Sequence, residues 1–276
     1  MPTEIIAEIG ASHGGSLDEA LSLADACIRA GADVIKVQVG LRHLCEPTSE
    51  HAQQFAQSDL DYSEWDKVAA ECRKMGARFS ASIWHPDGAP WLKSLRAPWI
   101  KVGSGDATFE PTLAAARDSG LPVYLAVGGC TEAEIWQSKA VLGDSLACLM
   151  ACTLNYPSLP SEAYLSRMNR LRKFGVRVGY SSHVPNIMAP IYAARLGASA
   201  VEVHVDFKPA SAIGQGGVDL PAFKRICDDI KGLVPPIPIS PQAQWEMLAP
   251  GVELGCYGDE EKWKVIARRG ASGKRA

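Results

Sequence analysis

Along the chain, short segments rich in β-branched residues alternate with longer segments of helical character, the rhythm of strands joined by crossover helices in a parallel sheet. Eight such segments occur, near residues 4–10, 33–39, 78–84, 99–104, 122–128, 147–153, 177–182 and 200–206. The same punctuation recurs where helix gives way to strand: Gly31-Ala32-Asp33, Gly76-Ala77-Arg78, Gly120-Leu121-Pro122, Gly175-Val176-Arg177 and Gly197-Ala198-Ser199. A glycine at that place supplies the left-handed stop of the preceding helix.

Eight strands with intervening helices fit either an open, doubly wound sheet or a closed (β/α)8 TIM barrel, and the strand interiors separate the two. A strand covered by helices on both faces is apolar on both. In Val34-Ile35-Lys36-Val37-Gln38-Val39, Ile35, Val37 and Val39 share one face, while Lys36 and Gln38 lie on the other. The last segment repeats the pattern, with Val201, Val203 and Val205 against Glu202, His204 and Asp206. Glu8 stands between Ala7 and Ile9, and Lys101 between Ile100 and Val102. Period-two geometry sends the apolar set toward the helices and the charges into a barrel lumen. Charge there is costly unless it is paired or binds something. Glu8, Lys36, Lys101 and Glu202 either neutralise one another in a structural network or form a site at the strand ends, where barrel enzymes keep theirs. The site reading is preferred.

Residues 1–235 are read as the barrel, with a closing helix from Asp219 to about Lys231 stopped at Val234-Pro235-Pro236-Ile237-Pro238. Residues 236–276, through Trp245 and Trp263, read as a strap and tail too short for a core of their own. A length of 276 residues suits one barrel. With 28 Lys+Arg against 31 Asp+Glu, the charge balance gives no field for nucleic acid or membranes. The basic cluster Arg268, Arg269, Lys274 and Arg275 reads as a solvated chain end. No apolar run approaches the roughly 18 residues of a membrane span, and no signal segment precedes the first strand, so a cytoplasmic location is expected. Cysteines 27, 45, 72, 130, 148, 152, 227 and 256 form no CxxC pair and read as reduced thiols, with Cys152 in an apolar run as a core residue rather than a nucleophile.

His183 ends the seventh segment and His204 lies in the eighth, so neighbouring strands bring two imidazoles to one mouth, a donor set suited to a first-row divalent metal. Lys36 and Lys101, on the second and fourth strands, suit a small dianion carrying phosphate and carboxylate. Ser104 and Gly105 follow Lys101 in a turn that offers backbone N–H donors. His13, after the first strand, is read equally as a substrate contact or as a cap.

These residues fall in motifs that resemble the sialic acid (N-acetylneuraminate) synthase family. They are Ile6-Ala7-Glu8-Ile9-Gly10 with His13, the run Gly31 to Gln38, Ile100-Lys101-Val102-Gly103-Ser104-Gly105-Asp106, Cys152-Thr153 with Tyr156-Pro157, Gly179-Tyr180-Ser181-Ser182-His183, and the run Gly197 to His204. They stand in family order over about residues 4–230. The resemblance implies a barrel that condenses phosphoenolpyruvate with the aldehyde of an N-acylated hexose or another aldose, releasing phosphate and giving a 3-deoxy-2-keto acid. It implies a divalent ion, manganese or else magnesium or cobalt, on His183 and His204. It implies phosphoenolpyruvate held by Lys36, Ser82, Lys101, Ser104 and Ser181, and Glu8, Glu202 and Tyr156 as catalytic groups near acceptor and metal. A homodimer is also implied, although its basis in the family, a C-terminal antifreeze-like domain reaching into the partner's active site, has no counterpart in this sequence.

The sequence departs from the family pattern at Ser182 within Ser-Asp-His, at Ala126 within Ser-Thr-Gly, at Leu154 after Cys-Thr, and at Gly214-Gln215-Gly216-Gly217 in place of Gly-Pro-Asp-His. These changes leave the acceptor open. Two other readings remain: a Schiff-base aldolase using Lys101 or Lys36, and a non-catalytic barrel serving as a binding subunit.

Overall fold

The computed structural model describes residues 2–43, 52–207 and 217–248. Cys45, Cys256, Trp263, the basic tail and Gly214 to Gly216 lie outside the described residues. Eight parallel strands run in sequence order: β1 (Glu4–Gly10), β2 (Val34–Val39), β3 (Arg78–Ile83), β4 (Ile100–Val102), β5 (Val123–Ala126), β6 (Leu146–Ala151), β7 (Arg177–Ser182) and β8 (Ala200–Asp206). Pairing of β1 with β8, from Glu4 opposite Ala200 to Glu8 opposite His204, closes them into a barrel and rules out the open sheet. The fold is a (β/α)8 TIM barrel.

The outer layer is built from α1 (Leu17–Ala30), α2 (Ala52–Gln57), α3 (Tyr62–Lys74), α4 (Gly88–Ser94), α5 (Glu110–Asp118), α6 (Glu132–Leu142), α7 (Arg167–Leu171), α8 (Met188–Arg195) and α9 (Leu220–Ile230). Local chemistry sets their ends. Ser16 caps α1 by accepting from Glu19 N–H, and reciprocal capping boxes start α3 at Asp61 and Glu64 and α6 at Thr131 and Glu134. All five glycines expected to stop helices have left-handed φ, from +73° at Gly175 to +112° at Gly31. A two-residue strand, β9 (Val218–Asp219), pairs with the end of β8 and was not anticipated; Asp219 then caps α9 through Ala222 N–H. The fourth segment forms a shorter strand than 99–104 suggests. The Trp84 ring lies where a Cβ on Gly103 would fall, 2.3 Å from the nearest ring atom, and Ser104–Asp106 turn into a 3-10 helix.

Side chains alternate as the period-two reading requires. Ile5, Ala7, Ile9, Ile35, Val37 and Val39 join the core between barrel and helices. Ile6, Val34, Trp99, Tyr124, Cys148 and Met150 form a separate cluster inside the barrel. Trp99 and Tyr124 stack there at 4.5 Å, and the Tyr124 hydroxyl donates to Glu4, which also pairs with Arg78 at 2.8 Å. Aromatic mass thus fills the N-terminal half of the lumen, while the charges occupy the C-terminal half. Beyond the barrel, α10 (Pro241–Leu248) buries Met247 and accepts Leu165 N–H through the Met247 carbonyl at 2.8 Å.

His13 is a structural residue. Its ring packs edge-on to Trp65 at 5.1 Å, and its Nδ1 accepts from Gly15 N–H at 3.2 Å. Burial lowers its pKa from 6.5 to about 4. Between those values the unfolded chain binds a proton that the native chain refuses, so this contribution is complete above pH 6.5 and is lost as the pH falls toward 4. Urea unfolding at pH 7 and pH 4 should show that His13→Asn, which keeps an acceptor for Gly15, removes about 3 kcal/mol of the acid-side loss. In the lumen, a Cβ on Gly179 would stand 2.8 Å from Ala200 O and 2.4 Å from Met150 Sδ. Gly179→Ala should therefore lower unfolding free energy by about 1–3 kcal/mol in the same assay.

Candidate active site

The register of the strands assembles the charged cluster. Glu8 lies opposite Lys36 on one side and His204 on the other, Ser82 opposite Lys101, and Ser181 opposite Glu202. Glu8, Lys36, Lys101 and Glu202 are all buried, at 0–3% exposure, so each ion needs partners. Lys36 forms an ion pair with Glu8, donates to Ser82 Oγ at 2.7 Å and stands 3.5 Å from Glu202 Oε1. Lys101 Nζ contacts Glu202 Oε2 at 2.7 Å, while Ser181 donates to Glu202 Oε1 at 2.9 Å. The four charges do neutralise one another, as the structural reading held. They also line an open cleft at the C-terminal ends of the strands.

Burial pulls the Lys36 ammonium down to about 7, with Glu202 opposing. Burial acts against the Glu202 carboxylate, but the facing lysines override it and hold the group well below the usual carboxylate range.

His183 and His204 meet at the same mouth, with ring centroids 5.3 Å apart. His183 Nδ1 faces the Thr153 carbonyl, an acceptor, which assigns the proton to Nδ1 and leaves the Nε2 lone pair free. His204 Nδ1 is buried without a hydrogen-bond partner. Burial lowers the pKa of His183 to about 4 and holds that of His204 well below its ordinary value, so both rings are neutral at pH 7. Neutral imidazoles with available lone pairs fit a divalent first-row ion. Among the described residues no group of three or more His, Cys, Asp or Glu is placed to hold a metal ion. The Tyr156 ring lies 3.9 Å from that of His183 and 6.2 Å from that of His204, and burial raises its phenol well above the usual range, keeping it protonated.

All ten residues singled out for the site, Glu8, Lys36, Ser82, Lys101, Ser104, Tyr156, Ser181, His183, Glu202 and His204, line this one cleft; His13 does not. Of the departures, Ala126 and Leu154 line it too. Ser182 does not: alternation along β7 puts Ser181 on the lumen face and Ser182 with Tyr180 on the helix side.

Three lining residues were not picked out by sequence reasoning. Trp84 and Gln38 form one wall, the indole N–H donating to Gln38 Oε1 at 3.1 Å. Cys152 is buried with the cluster inside the barrel, as expected, and its thiol also borders the cleft, with Sγ 3.2 Å from Ser104 Oγ. The missed signal is parity. Ser80, Ser82 and Trp84, like Cys148, Met150 and Cys152, continue the inward-facing set of their strands past the last paired residue.

The chain is 32% identical over 209 residues to the uncharacterized protein MJ1065 of Methanocaldococcus jannaschii, covering 74% of this chain and 62% of that one. It is 28% identical over 223 residues to N-acetylneuraminate-9-phosphate synthase of Mus musculus, covering 74% and 62%. The chain thus spans about three-fifths of the length of these curated relatives. The solved N-acetylneuraminic acid (sialic acid) synthetase from Leptospira borgpetersenii, in complex with citrate, superposes with a TM-score of 0.77 at 25% identity, covering 89% of this chain and 90% of that one. The model of the NeuB family matches residues 23–221, well over half of the sequence, and the chain belongs to that family.

Proposed function

We propose that the chain condenses phosphoenolpyruvate with an aldehyde, an N-acylated sugar or another aldose, in a reaction that depends on a divalent metal. The observation that carries this reading is the convergence in one cleft of two lysines, three serines and two neutral histidines. Lys36 and Lys101 suit the phosphate and carboxylate of the donor, with Ser82, Ser104 and Ser181 as hydroxyl donors. The lysines are balanced by Glu8 and Glu202, so the cluster sums to zero formal charge and leaves a dianion in need of further positive charge. His183 and His204 are the residues that would hold the ion, manganese in this proposal. When bound, it supplies Lewis acidity toward the aldehyde oxygen.

The condensation joins C3 of phosphoenolpyruvate to the aldehyde carbon. Water adds at C2 and the C2–O bond to phosphate breaks, so one water is consumed, phosphate leaves and a 3-deoxy-2-keto acid remains. Both carboxylates are engaged at both oxygens, Glu202 by Lys101 and Ser181 and Glu8 by Gly10 N–H and Lys36, and the lysines hold the Glu202 pKa low. One of the two manages the proton transfers, Glu8 in this proposal, beside an ammonium that burial pulls down to about 7. Tyr156 walls the acceptor side beside the histidines.

The lowered pKa of Lys36 favours a second reading, a Schiff-base aldolase using Lys36 rather than Lys101, which Glu202 holds at 2.7 Å. Phosphate release from phosphoenolpyruvate, measured with Mn2+ and a panel of aldoses and N-acylated hexoses against an EDTA control, decides between them. Metal-dependent release with one acceptor is expected. Absence of release and of phosphoenolpyruvate binding would overturn the proposal, and borohydride trapping of a metal-independent adduct would favour the aldolase. His204→Ala should abolish metal binding and lower turnover by at least about 100-fold with the fold intact, and an unchanged metal content would remove that ligand from the site.

A further inference from the structure

At the C-terminal ends of β4, β5 and β6, three residues interlock. Ser104 Oγ accepts the Gly128 backbone N–H at 3.0 Å and lies 3.2 Å from Cys152 Sγ. Gly128 has no room for a side chain: a Cβ would fall 2.7 Å from Cys152 Sγ and 3.1 Å from Ser104 Oγ. Cys152 is fixed from behind, its carbonyl accepting from the buried Arg167 guanidinium at 2.7 Å. Both Ser104 and Cys152 line the cleft.

We propose that Cys152 is a positioning residue for the donor anion, acting through the Ser104 hydroxyl. The inference rests on the reading that this cleft takes phosphoenolpyruvate. A serine hydroxyl has one proton to give and two lone pairs to receive with. The Gly128 N–H uses one lone pair, which fixes Oγ in place. Without an anion beside it, the hydroxyl can give its proton to Cys152 Sγ, a weak acceptor at 3.2 Å. When a phosphate or carboxylate oxygen arrives, the proton turns to that stronger, charged acceptor. The thiol can then reverse its role, its S–H donating to the second lone pair of Oγ, so that Oγ keeps both of its protein partners when the anion binds. An apolar group in place of the thiol would leave the hydroxyl free to rotate.

The experiment is calorimetric binding of phosphoenolpyruvate, with steady-state KM and kcat, for the unaltered protein, Cys152→Ala, Cys152→Ser and Gly128→Ala, each checked for folding by thermal melting. Cys152→Ala should weaken donor binding about three- to tenfold and raise KM for phosphoenolpyruvate by a similar factor, with a smaller effect on kcat and on KM for the acceptor. Cys152→Ser, which keeps a rotor able to donate and accept, should recover most of the loss. Gly128→Ala, which crowds Sγ and Oγ, should follow Cys152→Ala. Unchanged donor affinity in Cys152→Ala, or equal effects on donor KM, acceptor KM and kcat, overturns the inference while leaving the proposed function standing. A failure of the unaltered protein to bind phosphoenolpyruvate overturns both.

Discussion

The ion pairing of Lys36 and Lys101 with Glu8 and Glu202 inside the barrel is the constraint on which the rest of this structure depends. Moving any one of these charges out of water costs several kcal/mol, and removing one partner would strand another. The barrel meets that cost with strand residues alone, register setting Glu8 beside Lys36 on adjacent strands while Lys101 of β4 reaches Glu202 of β8 across the lumen, so the partners arrive without any loop having to order itself. The outer faces of the same strands are aliphatic and bind the helices, and the Trp99–Tyr124 stack fills the opposite half of the lumen. Polarity is thereby confined to the end of the barrel where the strands deliver their side chains to the connecting loops.

Burial acts with opposite consequences on the two kinds of nitrogen in the cleft. It makes His183 and His204 neutral, which frees lone pairs for a cation. It also loosens the proton of Lys36, whose pKa falls to about 7. One desolvated cavity in this way places two neutral imidazoles and a lysine pair side by side, the combination on which the proposed condensation rests.

Much of this was legible in the amino-acid order because barrel strands obey a strict period of two. Lys36 flanked by Ile35 and Val37, or Glu202 flanked by Val201 and Val203, admits one geometry, and the helix-stopping glycines mark where each strand begins. Closure of the sheet was less legible: the β1–β8 pairing joins segments almost 200 residues apart, and no local pattern encodes it. Trp84 and Cys152 escaped because they follow the last paired residue of their strands, where parity continues but propensity gives no sign of it. Cys152 in particular sits in an apolar run, and only the proximity of Ser104 and Gly128 from two other strands reveals what its thiol touches. Ser182 illustrates the reverse, a departure from the family pattern that alternation carries away from the cleft.

In the proposed function, a buried lysine cluster with a lowered Lys36 pKa receives the donor anion. Titration calorimetry of phosphoenolpyruvate at pH 8, repeated in buffers of different ionisation enthalpy, measures both binding and the proton that accompanies it. The account predicts saturable binding with net proton uptake, because a dianion beside Lys36 raises a pKa that burial had pulled to about 7. Absence of binding, or binding with no exchange of protons, would contradict it.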